Sequence, residues 1–191
     1  LPNGFLPNGF LLNGFLPNGF SCAVRLAVFV HSDTTSLPNS MILITDQVLD
    51  AADVQRQLGS VEAGASVVFT GTTRRLTDGR ETVDLTYECY RELAEKALRE
   101  LESTARTRWR LVECVLLHRI GLVPLGEASV VVGVSAAHRD EAFESARWLI
   151  DTLKEQAPIW KQEHWADGTR QWIHPGMSPP QAAPGGDRNA G

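Results

Sequence analysis

Lysine is the residue this chain most conspicuously lacks. Of the 18 Lys and Arg residues among its 191 positions, only Lys96, Lys154 and Lys161 are lysine. Two of these three flank one short run, Lys154-Glu-Gln-Ala-Pro-Ile-Trp-Lys161. Where arginine supplies the surface charge, a close lysine pair points to amine chemistry, although a small count also permits chance. Cysteine is equally sparse: Cys22, Cys89 and Cys114 are far apart and form no CxxC pair, which argues against a disulfide framework and a zinc site. A reducing, cytoplasmic setting is therefore expected. No apolar run approaches the roughly 20 residues of a membrane-spanning helix. A global basic field is missing too, because the net charge is −5. Nonspecific binding to nucleic acid or to an anionic membrane is thus not expected, and an anionic ligand must be held by a local pocket.

What is present begins with a repeat. Residues 1–20 are four near-copies of Leu-Pro-Asn-Gly-Phe. A five-residue period with Asn-Gly in every copy sustains neither helix nor ordinary strand, and it matches no solenoid unit. The first methionine, Met41, directly precedes an ordered pattern. Residues 1–40 are accordingly read as a non-native or disordered extension. The rival is a targeting segment around Cys22–Val30, which is short and lacks a basic lead. The tail 175–191 is rich in Pro, Gly and Ala and is expected to be disordered. Between them, residues 41–174 are expected to form one domain.

That domain reads as α+β. Strands are expected at Met41–Thr45, Gly64–Gly71, Thr82–Tyr90, Val112–His118 and Ala128–Ser135, with Val83, Leu85, Tyr87 and Cys89 on one apolar face. Helices are expected at Asp46–Leu58, Glu92–Trp109 and Asp140–Gln156, the last stopped by Pro158. A turn at Asp78-Gly79, connections through Gly121, Pro124 and Gly126, and a hairpin around Asp167-Gly168 complete the pattern. Two long helices on about six strands are enough for one core.

The last helix carries the first candidate chemistry. At about 100° per residue, Phe143, Ala146, Ile150, Leu153 and Ala157 form one stripe, and Lys154 lies about 20° beyond Phe143 at its rim. A snorkelling lysine explains that placement equally well. Pro158 turns the chain, Trp160 anchors the turn, and Lys161 is free to return toward Lys154. Amines crowded together or partly desolvated lose their protons more readily, as nucleophiles and proton carriers require. Three basic pairs sit at strand ends: Arg74-Arg75, His118-Arg119 and His138-Arg139. The last opens a helix, where free N–H groups attract anions. Taken singly each is a solvated strand end; converging, they make a phosphate or carboxylate pocket.

Other chemistries find no support. The chain has no P-loop, no dinucleotide fingerprint and no Gly-x-Ser-x-Gly elbow, so no bound cofactor is expected. Glu163, His164 and His174 match no familiar ligand spacing, so no metal is expected. Cys89 falls on an apolar strand face, which argues against a persulfide carried on this chain.

The runs Phe69-Thr-Gly-Thr-Thr-Arg74, His118-Arg-Ile-Gly121, Val134-Ser-Ala-Ala-His-Arg139 and Leu153-Lys-Glu-Gln-Ala-Pro-Ile-Trp-Lys-Gln-Glu163 closely resemble the large subunit of molybdopterin synthase, in order and spacing. The likeness covers Met41 to Ile173. It implies an α/β-hammerhead type of α+β fold, with two long helices on a mixed or antiparallel sheet and a smaller β subdomain. It implies a homodimer within a heterotetramer, each protomer docking a small ubiquitin-like carrier. The carrier's C-terminal Gly-Gly thiocarboxylate gives sulfur to cyclic pyranopterin monophosphate, which becomes the dithiolene of molybdopterin. Gly185-Gly186 of this chain is not C-terminal, so this chain is not the carrier.

By matching position, the resemblance implies that Lys154 is the main catalytic lysine and Lys161 a second catalytic or substrate-binding one. It assigns substrate binding to Thr72, Thr73, Arg74, His138, Arg139, Gln162 and Glu163. Family members can carry lysine at the position of Thr72, which here offers only a hydroxyl. Two rival functions remain distinguishable. A non-catalytic anion-binding or tail-binding dimer needs the arginines but not the amines. A cyclic phosphate hydrolase using His118 and His138 needs no protein partner.

Overall fold

The computed structural model describes residues 40–173. The repeat and the Pro-rich tail, with His174, lie outside the described residues.

Four strands form the first sheet, in the order β1-β5-β7-β2: β1 (Ser40–Thr45), β2 (Ala65–Thr72), β5 (Leu111–Arg119) and β7 (Ala128–Ala136). β1 runs parallel to β5, and the other pairs are antiparallel. Every residue of the valine-rich β7 is buried, because elements cover both faces of the sheet. On one face lie the two long helices α2 (Arg91–Arg108) and α3 (Arg139–Gln156). α2 supplies Ala94, Leu98, Leu101 and Ala105 at helical spacing to a core that includes Ile44, Leu116, Val132 and Leu149. On the other face the short α1 (Ala51–Gln57) packs Val54 near Leu117 and Val131. Gly133 makes this approach possible, since a Cβ there would lie 2.5 Å from Val54 Cγ1.

The second sheet is built on β4 (Arg80–Cys89). β8 (Ile159–Trp165) pairs along one edge of β4, and β9 (Arg170–Ile173) adds beyond β8. β3 (Leu76–Thr77) and β6 (Gly121–Pro124) pair with the other edge. β3 turns into β4 through Asp78 and Gly79, both at positive φ, as the right-handed twist of a two-residue hairpin demands. The expected hairpin at Asp167-Gly168 joins β8 to β9, with Gly168 at φ 82.

Four expectations are corrected. The first helix begins after Asp50, not at Asp46, because the Asp50 carboxylate takes the Ala52 N–H at 2.8 Å and caps the helix there. Residues 121–124, read as a connection, form strand β6 because β4 offers them a free edge. Val83 does not share the face of Leu85: it is 49% exposed, since the ladder slips between Thr82 and Asp84 and a bulge reverses the alternation. Phe143 is 64% exposed. The buried stripe of α3 is centred on Ala142, Ala146, Leu149 and Leu153, because small residues let the helix lie close to the sheet. Lys154 therefore lies further outside the stripe than the angle count implied, and it is exposed.

Candidate functional site

A cavity of about 360 Å³ opens between the two sheets, beside the C-terminal end of α3. Each wall follows from local structure. The β2 ladder slips at Gly71/Thr72, and past that irregularity Thr72 and Arg74 line the cavity. β5 places His118 at its end on the same face as Leu116, the face that packs against α2 and α3. β7 begins there with Ser129 and Val130. α3 contributes Leu153 and Lys154, and the break at Pro158 sends the chain back as β8, which brings Ile159, Lys161 and Glu163 to the same cavity. Thr77, Thr82, Leu85 and Tyr87 close the wall formed by the second sheet.

The two scarce lysines do meet at one site. Lys154 Nζ lies 5.8 Å from the centre of the Phe69 ring, a cation–π contact that steers the amine while its stem covers apolar surface. Lys161 Nζ donates to Glu163 Oε1 at 2.8 Å. Glu163 is only 1% exposed, and its other oxygen accepts from Thr82 Oγ1 at 3.1 Å. A buried carboxylate with both oxygens engaged is a fixed anchor, so Lys161 is held in one position.

The remaining sequence candidates divide. Thr72 and Arg74 line the cavity. Thr73 does not: it is buried, and its hydroxyl donates to the Val123 carbonyl at 3.3 Å while its backbone bonds Glu127 and Gly126. Gln162 alternates to the other face of β8, where its Oε1 lies 2.8 Å from His164 Nε2. Arg119 pairs with Glu127 rather than with the cavity. His138 is the N-cap position of α3 and Arg139 its first residue, both exposed, and the nearest recorded ionic contact of Arg139 is Asp140 at 3.7 Å. Lys154 lies 15 residues further along α3, roughly 22 Å at 1.5 Å per residue. Within one protomer, then, the strand-end basic groups do not all converge, and His118 and His138 form no acid–base pair.

Sequence reasoning overlooked Tyr87, Ser129 and Thr82. Tyr87 was placed in the core by alternation, yet it reaches the cavity, and burial raises its phenol above the ordinary value despite the Ser129 hydroxyl beside it. The ring packs edge-on against His118, with centroids 5.1 Å apart. Burial lowers the His118 imidazole from 6.5 to about 4. Neither described cysteine lines the cavity, and burial raises both thiols, Cys114 to about 12, so neither is a ready thiolate. Among the described residues no His, Cys, Asp and Glu gather in a group able to hold a metal.

Known proteins match this arrangement. The family model described as MoaE protein matches residues 44–156. The molybdopterin synthase catalytic subunit of Thermoplasma volcanium is 40% identical over 134 residues, which span 70% of this chain and 98% of that protein. A crystal structure of molybdopterin synthase from Staphylococcus aureus superposes with a TM-score of 0.64 at 31% identity, covering 72% of this chain and 98% of that one. The same fold occurs in a solved complex of subunits 1 and 2 of molybdopterin-converting factor from Helicobacter pylori 26695, with a TM-score of 0.57 at 22% identity, covering 71% and 90%. A match through the whole core, joined to a cavity that holds the paired lysines, leaves one conclusion: the chain belongs to the MoaE family, that of the molybdopterin synthase catalytic subunits.

Proposed function

We propose that this chain moves sulfur from the thiocarboxylated Gly-Gly terminus of a small ubiquitin-like carrier to cyclic pyranopterin monophosphate, forming the dithiolene of molybdopterin. The observation that carries the reading is the meeting of Lys154, Lys161 and Arg74 in one cavity, with no cysteine among the described residues that line it. In this reading sulfur arrives on a partner, and the chain supplies cations and amines. Adding sulfur to the pterin side chain develops negative charge, displaces oxygen and opens the cyclic phosphate. Fixed cations aimed at those positions stabilise each change, most strongly where the site excludes water.

In this reading Lys154 is the main catalytic group, because its amine is exposed at the mouth of the cavity and steered by Phe69. An amine there transfers protons or captures the activated acyl group. Lys161, anchored by Glu163, holds substrate charge or assists, and Arg74 offers a bidentate donor to phosphate. Thr72 contributes a hydroxyl where relatives can have lysine. Thr73 and Gln162 support the site from behind their strands. His138 and Arg139 reach a cavity only when a second copy presents its helix start to the first, which fits a homodimer inside a heterotetramer with two carriers. The finer fold type is the α/β-hammerhead, residues 41–174 are the working domain, and 1–40 are dispensable to it. We place the protein in the cytoplasm, in keeping with its free cysteines among the described residues; no helix there is long and apolar enough to cross a membrane.

The test is partner dependence. The isolated chain should make no molybdopterin from a small-molecule sulfur source, and it should become active with a thiocarboxylated Gly-Gly carrier. Robust turnover with the carrier absent would overturn the reading.

A further inference from the structure

We propose that His118 is a specificity residue, whose Nε2 accepts a hydrogen bond from a ring N–H or hydroxyl of the pterin at the floor of the cavity. This inference rests on the sulfur-transfer reading above and adds to it how the heterocycle, rather than the phosphate, is recognised.

The ring of His118 is fixed on two sides. Nδ1 lies 2.9 Å from the Arg119 carbonyl, and a carbonyl only accepts, so Nδ1 carries the hydrogen. The tautomer follows: Nε2 has a bare lone pair. Tyr87 packs edge-on against the ring and limits its rotation. Among the described residues Nε2 has no hydrogen-bond partner, yet it is not among the buried polar atoms sealed without one, and the residue lines the cavity. It therefore opens onto the ligand space. Burial holds the imidazole near 4, so the group stays a neutral acceptor at pH 7.

The rest of the polar lining explains why one neutral acceptor matters. Arg74, Lys154 and Lys161 only donate. The Glu163 oxygens are engaged by Lys161 and Thr82, and the lining hydroxyls of Thr72, Thr77, Tyr87 and Ser129 donate as well as accept, which leaves His118 Nε2 as the one neutral side-chain group among the described lining residues that only accepts. An anionic phosphate finds all it needs among the cations. A pterin also carries N–H donors, and burying these without acceptors is costly. A free carboxylate in this position would compete with the phosphate for the cations. A neutral imidazole accepts from the heterocycle without doing so. A site built to pair a donor also rejects analogues that lack it.

Two substitutions separate this role from a structural one. His118→Asn keeps an amide N–H near the Nδ1 position for the Arg119 carbonyl and removes Nε2. His118→Gln places an amide oxygen near Nε2. Calorimetric titration of cyclic pyranopterin monophosphate into the full-length chain, with a melting curve for each variant, should show about tenfold weaker binding for His118→Asn at near-normal Tm. His118→Gln should bind within about threefold of the parent. Unchanged affinity in His118→Asn, or losses in both variants that simply track Tm, overturns the inference. Sulfur transfer by the unmodified chain with carrier thiocarboxylate is run in parallel. Its failure counts against the proposed function, whereas its success with an unimpaired His118→Asn counts against His118 alone.

Discussion

The two sheets of this molecule are made of the same kind of strand and spend their buried interior differently. The first sheet buries valine, leucine and isoleucine against helices on both faces, and β7 has no exposed residue. The second sheet has fewer such residues, Leu85, Val123, Ile159 and Trp165, and along the cavity it buries Thr82 and Glu163 and half-buries Tyr87 and Lys161, groups that need partners. Apolar burial stabilises without direction, at about 25 cal/mol per Å². Buried polar groups stabilise little in net terms but fix positions, since any other arrangement leaves them unsatisfied. The helix-covered part of the first sheet therefore supplies stability, and the polar groups where the two sheets meet, His118 and Ser129 of the first with Thr82 and Glu163 of the second, supply geometry.

Substitutions on each side should separate rate from stability. The largest effect is expected at the junction. Lys154→Arg keeps the charge, the long stem and the helix propensity, but guanidinium cannot shuttle protons or act as an amine nucleophile near neutral pH. Single-turnover sulfur transfer should slow by about 100-fold or more, with Tm close to the parent. A parental rate would make Lys154 a positioning charge and move the chemistry to Lys161.

On the scaffold side, Leu149 is fully buried between α3 and the first sheet. Leu149→Ala should cost about 2–5 kcal/mol in denaturant unfolding while leaving the transfer rate of the folded fraction unchanged. A specific loss of rate at unchanged stability would erase the division of labour between the sheets.

His118 sits on the boundary and couples it to pH. Its folded pKa of about 4 lies below the ordinary 6.5, so the unfolded chain takes up the proton first. The stabilising contribution is complete above about pH 6.5 and is lost as pH falls toward 4, at most about 3 kcal/mol in total. Unfolding midpoints measured from pH 7.5 to 4.5 should fall, and His118→Asn should flatten that slope; parallel slopes would assign the acid sensitivity to other groups.

The smallest effect is expected outside both sheets. We propose that a chain starting at Met41 melts and functions as the full chain does, since among the described residues it removes only one edge position, the Ser40 partner of Cys114. A clear drop in Tm on truncation would give residues 1–40 a structural role.

Much of this was legible in the sequence, for identifiable reasons. The long helices and the valine-rich strands announce themselves because periodicity and burial coincide there, as at Leu98, Leu101 and Ala105. Lys154 and Lys161 could be paired because Pro158 forces a turn between them. Val83 was misread because a single bulge reverses an alternation that sequence alone treats as continuous. Phe143 was misread because the contact side of α3 is set by its smallest residues rather than its largest. The separation of His138-Arg139 from Lys154 is a matter of helix length, and it was hidden by treating both as features of one helix. Tyr87 and Ser129 gave no signal, since their role depends on strand ends far apart in the chain that meet only in the fold.

The parallel pairing of β1 with β5 has a consequence for how the chain is made. Ser40 meets Cys114 and Thr45 meets Arg119, partners 74 positions apart. At about 5–20 residues per second, a ribosome exposes β1 for roughly 4–15 seconds before the first residue of its partner exists. During that interval Met41-Ile-Leu-Ile44 is an apolar strand with no edge to join, and closing so long a loop waits on β5 being in place. β1, the first of the described strands, thus waits on β5 to dock, and the nascent chain depends for those seconds on whatever keeps exposed strands from finding one another.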